Sequence, residues 1–182
     1  ISPDSIKIIA KKDGIRLLEA GSRQEDIKTL NMKRVSGGLL LLDNDIGIIE
    51  RGDIKIVSKR KPDEKELDDL IFAWQVVKYV KSNAIVYARD KKTIGIGAGQ
   101  MSRIYSARIA AIKAKDEKII ITNSVMASDA FFPFRDAVDV SASEGIRAII
   151  QPGGSLRDDE VIAAADEHNM VMVFTKMRHF LH

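Results

Sequence analysis

The feature that most constrains the fold lies in the last third of the chain. Ile146 to Gln151 reads as an apolar strand, Asp158 to His168 as a helix and Met170 to Thr175 as a second strand. Strand, helix and strand in succession demand a parallel pair joined by a right-handed crossover. In such sheets ligands sit beyond the carboxyl ends of the strands. The loops there hold Pro152 to Ser155 and Lys176 to Arg178. Gly145 stops the helix predicted over Asp136 to Glu144, and Asn169 is the expected left-handed cap after His168.

Upstream of that unit stands Asp129-Ala-Phe-Phe-Pro-Phe-Arg-Asp136, which places three of the chain's six phenylalanines within four positions. Pro133 suits neither a central strand nor a helix interior. The stretch is expected to be a rigid, partly exposed turn leading into the helix at Asp136. Two readings stand: Phe131, Phe132 and Phe134 are core residues before a helix, or their flat faces, beside an acid and a guanidinium, receive a planar ring with a polar edge. The carboxyl-end loops could share their edge with it.

The middle of the chain reads as layered α/β. Pro62-Asp63-Glu64 opens a helix with acids in its first turn. Leu67, Leu70, Ile71, Trp74, Val77 and Tyr79 form its apolar face. Strands over 84–88 and 93–96 form a hairpin about Asp90-Lys91-Lys92. Gly97-Ala98-Gly99-Gln100 precedes a helix from Ser102 to Ala114, with Arg103 in its first turn. Strand, Gly-rich loop and helix gather backbone N–H groups, an arrangement open to an anion. The loop is neither a Walker loop nor a full dinucleotide fingerprint, and Gly97 and Gly99 also suit tight turns. Lys118 to Thr122 is expected as a strand.

The first segment is less regular. A helix starts at Ser2-Pro3-Asp4, with Ile6, Ile8 and Ile9 inward, and ends near Gly14. Ile15 to Leu18 is expected as a strand, Ser22 to Asp26 as a polar loop and Ile27 to Val35 as an extended strand. Leu39 to Leu42 is expected as a buried strand, Lys55 to Val57 as a short one, and Ser58 to Lys65 as a solvated linker.

Composition narrows the chemistry. The 182 residues carry 29 basic and 26 acidic side chains, net +3, mixed along the chain. A nucleic-acid binder concentrates its basic residues into a stripe, so anionic small molecules are the more natural partners. With no cysteine, disulfide and thiolate chemistry are excluded. No apolar run reaches a membrane span and no signal peptide is visible, so a cytoplasmic location without membrane partners is expected. His168, His179 and His182 show no metal-ligand spacing.

A family resemblance extends this reading. The Asp129–Asp136 string, Gln151-Pro-Gly-Gly-Ser155, Asp166-Glu-His168 and Met177-Arg-His-Phe-Leu-His182 resemble the C-terminal region of the bifunctional purine-biosynthesis family that joins AICAR transformylase to IMP cyclohydrolase. Arg34-Val-Ser-Gly-Gly-Leu-Leu40, Val77-Lys-Tyr-Val-Lys-Ser-Asn83 and Ile94-Gly-Ile-Gly-Ala-Gly-Gln-Met-Ser-Arg-Ile104 agree, in the same order. The resemblance implies three-layer α/β/α, cytidine-deaminase-like architecture with a mixed sheet and no zinc. It implies an incomplete N-terminal portion over 1–61 and a C-terminal unit over 62–182.

The implied activity is formyl transfer from 10-formyltetrahydrofolate, a co-substrate, to the amine of AICAR, without a metal, in a homodimer. By resemblance Asn83 stands beside the reacting groups, and Arg103 and Ile104 line the folate and nucleotide pocket. Phe131, Pro133, Phe134 and Asp136 contact the folate, and Ser155 is a pocket position. Arg178 holds the AICAR phosphate, and Lys12 aligns loosely with a nucleotide-binding lysine. The family's Lys-His pair, whose histidine moves the proton, has no counterpart here: the chain contains no Lys-His dipeptide. The chain is therefore expected to be a C-terminal fragment, inactive alone. The alternative is a non-catalytic α/β module that binds an anionic nucleotide or folate.

Overall fold

The computed structural model describes residues 1–19, 21 and 30–181. The expected loop at 22–26, the first residues of the strand expected from Ile27, and His182 lie outside them. Two compact units result, Ile1–Ile46 and Gly47–His182.

In the first unit, Ser2 caps helix α1 (Pro3–Ile9) by accepting the Ser5 backbone N–H. Ile6 and Ile8 are exposed rather than inward, and α1 has no buried residue. Residues 15–18 form no strand. Strands β1 (Leu30–Val35) and β2 (Gly38–Asp43) pair as an antiparallel hairpin. The leucines at 39 to 42 do lie on a strand, but all four are exposed. Both strands are exposed throughout among the described residues, so the apolar run does not bring burial.

The second unit carries a six-stranded mixed sheet in the order β3-β8-β7-β6-β4-β5. Its strands are β3 (Lys55–Ile56), β4 (Ile85–Arg89), β5 (Lys92–Gly97), β6 (Ser124–Ser128), β7 (Ile146–Gln151) and β8 (Val171–Phe174). β6, β7 and β8 run parallel, as the crossover argument requires, while β4 runs antiparallel to β6, β5 to β4, and β3 to β8. Helix α2 (Glu64–Val77) covers one face; α3 (Arg103–Asp116), α4 (Asp136–Ser143) and α5 (Asp158–Glu167) cover the other. The fold is thus three-layer α/β with a mixed sheet.

Period-2 alternation divides the core between the layers. Ile85, Tyr87, Met126, Ile149 and Met172 pack with α3, α4 and α5. Val86, Val125, Ala127, Ile150 and Val173 pack with Leu70, Ala73, Trp74 and Val77 of α2. Asp63 caps α2 in a reciprocal capping box with Glu66. The helix ends at Val77, so Tyr79 falls beyond it and is exposed rather than part of the apolar face.

Three further expectations are corrected. Residues 118–122 are not a strand: Lys118 and Asn123 both adopt positive φ, and the strand begins at Ser124. Residues 58–65 are not a free linker. The Ser58 hydroxyl accepts the Met172 N–H at 2.7 Å, the Lys59 N–H donates to Asp166, and Arg60 pairs with Glu66 and donates to the Arg147 carbonyl. Gly97 does not make a turn; that role falls to Gly99, at φ +66°. Gly95 and Gly97 pair with Tyr87 and Ile85 on the face beneath α3. A Cβ at Gly97 would sit 1.9 Å from the Ser106 carbonyl oxygen. The two glycines let the α3 backbone lie directly on β5.

Two outcomes are expected. Gly97→Ala should cost about 3 kcal/mol in urea unfolding, the upper end for overpacking, because its obstacle is backbone. The second concerns Arg135, whose hydrogen bonds hold the Asp139 and Glu167 carboxyls below the usual range. Depressed folded-state values mean that this stabilisation is present above the ordinary carboxylate range and lost as pH falls. Arg135→Ala should therefore flatten the loss of stability between about pH 5 and about pH 3 in denaturant melts.

Candidate functional site

Register places the candidate residues along one edge of the sheet. Ile85 pairs with both Ser128 and Gly97, and Gln151 with Phe174. The start of β4 therefore lies with the carboxyl ends of β5, β6, β7 and β8. Those ends carry Ser82-Asn83, Gly99 to Arg103, Asp129 to Asp136, Pro152 to Ser155 and Lys176 to Arg178. The Phe-Pro-Phe stretch does join this edge.

Asp129 is its anchor. The carboxylate is fully buried, accepts the Ser82 hydroxyl at 2.6 Å and pairs with Arg103 at 3.0 Å. The Asp129 carbonyl accepts the His179 N–H at 3.0 Å. Ser82 in turn bonds the tail, donating its N–H to the Leu181 carbonyl and accepting the Leu181 N–H. Burying a carboxylate is costly unless charge and hydrogen bonds compensate it, and here both do. The guanidinium that the sequence left open to an anion is committed to this carboxylate.

Asn83 follows Ser82 across a cis peptide bond. Its side-chain amide donates to the Gln100 carbonyl at 2.9 Å, and its own carbonyl accepts the Ser106 hydroxyl at 2.7 Å. Ile104 is half-buried one residue into α3. The Phe-Pro-Phe stretch divides, so each sequence reading holds for part of it. Phe132 is core, with its N–H on the Gln151 side-chain oxygen, whereas Phe131 is half-buried and Pro133 and Phe134 are exposed.

Cations cover two of the rings. The Arg178 guanidinium lies 4.8 Å from the Phe131 centroid and the Arg157 guanidinium 4.7 Å from that of Phe134. A Cβ on Gly154 would lie 3.7 Å from the Arg178 guanidinium, in ordinary van der Waals contact, so Gly154 borders the guanidinium without crowding it. Asp136 is exposed at the start of α4 and accepts the Ala137 N–H. Ser155 is half-buried; its N–H and that of Gly154 both donate to Asp158, and its hydroxyl accepts the Arg157 N–H. That carboxylate fills the anion cradle of the loop from within.

Lys12 belongs to the first unit and is exposed there. Sequence reasoning missed Asp129 as an anchor, and it missed His179. The imidazole of His179 is buried, with its ring centroid 4.6 Å from that of Trp74. The indole Nε1 of Trp74 has no hydrogen-bond partner among the described residues, so the pair meets ring on ring and left no local signal in the sequence.

Elsewhere, a groove of about 360 Å³ opens beside Arg51, Asp68, Phe72 and Lys91, near the opposite end of the sheet. Its charges answer one another: Arg51 pairs with Glu64 and Asp68, and Lys91 with Asp68. No cluster of three or more metal-ligating side chains occurs among the described residues, nor is any described helix long and apolar enough to cross a membrane.

Fold and site together define a three-layer α/β unit whose polar and aromatic residues converge beyond the parallel strand ends. The family model described as AICARFT/IMPCHase bienzyme matches residues 1–113, and the chain belongs to that family. The match ends inside α3. The Asp129–Asp136 stretch and Arg178 lie beyond it, yet β6, β7 and β8 complete the sheet that β4 and β5 begin. Among solved structures, the chain is similar to a diaminohydroxyphosphoribosylaminopyrimidine deaminase/5-amino-6-(5-phosphoribosylamino)uracil reductase from Thermotoga maritima. Identity is 14% and the TM-score 0.38, over 58% of this chain and 34% of that one, so this chain spans about a third of that protein's length.

The anchor makes a direct prediction. Asp129→Ala should destabilise the unit by about 3 kcal/mol or more, because Arg103 is left partly buried without its partner. In denaturant unfolding, a change below about 0.5 kcal/mol would show that the pair is immaterial.

Proposed function

We propose that this chain supplies the folate wall and part of the nucleotide site for formyl transfer from 10-formyltetrahydrofolate to the amine of AICAR in purine (IMP) biosynthesis. Family membership supports the pathway. The observation that carries the site is the juxtaposition of the Arg178 guanidinium, the Phe131 ring and Gly154, on the edge that also holds Asn83.

Each group has a chemistry that suits its part. Arg178 is exposed and always cationic, suited to a phosphate monoester. The Phe131 and Phe134 rings, each under a guanidinium, form cation-capped aromatic surfaces that suit a flat pterin, and the Asp136 carboxylate can accept from its N–H edge. Asn83 is oriented by donation to the Gln100 carbonyl, which directs its amide oxygen to accept from an amine N–H. In the transfer the amine attacks the formyl carbon, the carbon–nitrogen bond to the folate breaks, and the proton lost by the amine is balanced by one gained at the released folate nitrogen. The proton needs a base, which in this family is the Lys-His pair that this chain lacks. Binding without robust transfer is therefore the expected behaviour of these residues alone, and the nucleotide site is expected to draw on a second subunit.

Calorimetric titration tests this reading. Saturable AICAR binding is expected, weakened about 10- to 100-fold by Arg178→Ala, since a charge-assisted hydrogen bond contributes about 1.5–3 kcal/mol. A 10-formyl folate analogue should bind to both forms alike. Absence of binding by either ligand in a chain that melts cooperatively would overturn the proposal.

A further inference from the structure

Resting on that reading, we infer that His179 is the positioning residue that aims Arg178: its ring locks against Trp74, and this fixes the direction of the neighbouring guanidinium. Arg178 is exposed, so the direction of its long side chain depends on what holds its backbone. Residues 177 to 180 alternate between inside and outside. Met177 packs against the α2-side core, Arg178 is exposed, His179 is 1% exposed and Phe180 is exposed. The burial of His179 therefore goes with an outward Arg178 on one side of it and an outward Phe180 on the other.

The lock has three parts. The imidazole packs on Trp74 at 4.6 Å with the ring planes tilted by 45°. The His179 N–H donates to the Asp129 carbonyl at 3.0 Å. On the upstream side, the Thr175 and Lys176 N–H groups donate to the Gln151 and Pro152 carbonyls, and the Thr175 hydroxyl bonds the Met177 carbonyl. Arg178 thus stands between two fixed points, with Phe131 and Gly154 beside its guanidinium. Without the lock, a ligand at Arg178 would have to order both the tail and a long side chain, and ordering lowers affinity. The arrangement also links the ligand site to α2 through the chain's single tryptophan.

The 182-residue chain, its His179→Ala and His179→Phe variants, and Arg178→Ala are compared by calorimetry with AICAR and with a 10-formyl folate analogue. Loss of pre-ordering predicts about a five- to tenfold weaker AICAR affinity in His179→Ala. The folate analogue should change by less than about twofold. His179→Phe, which keeps a ring against Trp74, should restore most of the AICAR affinity. Trp74 emission should shift to the red in His179→Ala and stay in place in His179→Phe. Unchanged AICAR affinity in His179→Ala, equal loss of both ligands, or failure of Phe to rescue would overturn the inference.

Two measurements need no ligand and so separate the lock from the proposed function. The backbone amides of His179 and Leu181, which donate to Asp129 and Ser82, should exchange with deuterium at least about tenfold faster in His179→Ala than in the parent chain. If that variant does not fold, slow exchange of the His179 amide in the parent chain is the deciding result, and exchange at the rate of a free tail sinks the lock. A parent chain that keeps these protections yet binds no AICAR would fail the transformylase reading alone.

Discussion

The edge of the second unit depends on one buried carboxylate. Asp129 holds Arg103 and Ser82 through its side chain and the C-terminal tail through its carbonyl. A carboxylate with no exposure cannot relax into water if a partner is lost. The segment before β4, the first turn of α3 and the tail near Arg178 are therefore coupled energetically, although they lie far apart in sequence. Such a cluster stabilises less than an apolar core of equal volume would, but it defines the relative placement of three loops.

The backbone plan of the second unit was legible from the sequence wherever pattern and punctuation agree. Ser102, Asp63 and Gly145 marked helix limits that the structure keeps within a residue or two. The misplaced strand at 118–122 shows where pattern misleads. Ile119-Ile120-Ile121 reads as a strand, yet only Ile121 is buried, and β6 is the less apolar Ser-Val-Met-Ala-Ser, enclosed on both faces. The hairpin at 30–43 is the reverse case: the strands form as expected, but four leucines in a row show composition and not burial.

The candidate site was legible in part. Phe131, Phe134, Asn83 and Arg178 came from motif strings, and register does bring them to one edge. What sequence could not convey was pairing between distant polar groups. No local rule joins Arg103 to Asp129, or His179 to Trp74, because each pair meets only after the sheet has formed. The N–H groups of Gly154 and Ser155 are likewise taken by a side chain from the start of the next helix, Asp158. Family membership adds the pathway; the geometry adds the order in which these groups depend on one another.

The paired glycines of β5 have an effect beyond helix packing. β5 lies at one border of the sheet and β3, two residues long, at the other. An open border of backbone N–H and C=O groups is a template on which a foreign strand can add. Glycine is among the poorest strand formers, and Gly95 and Gly97 offer no side chains to grip an incoming strand on the α3 side. With β3 too short to template more than a bond or two, the unit resists polymerising through its sheet, and the residues that admit α3 contribute to that resistance.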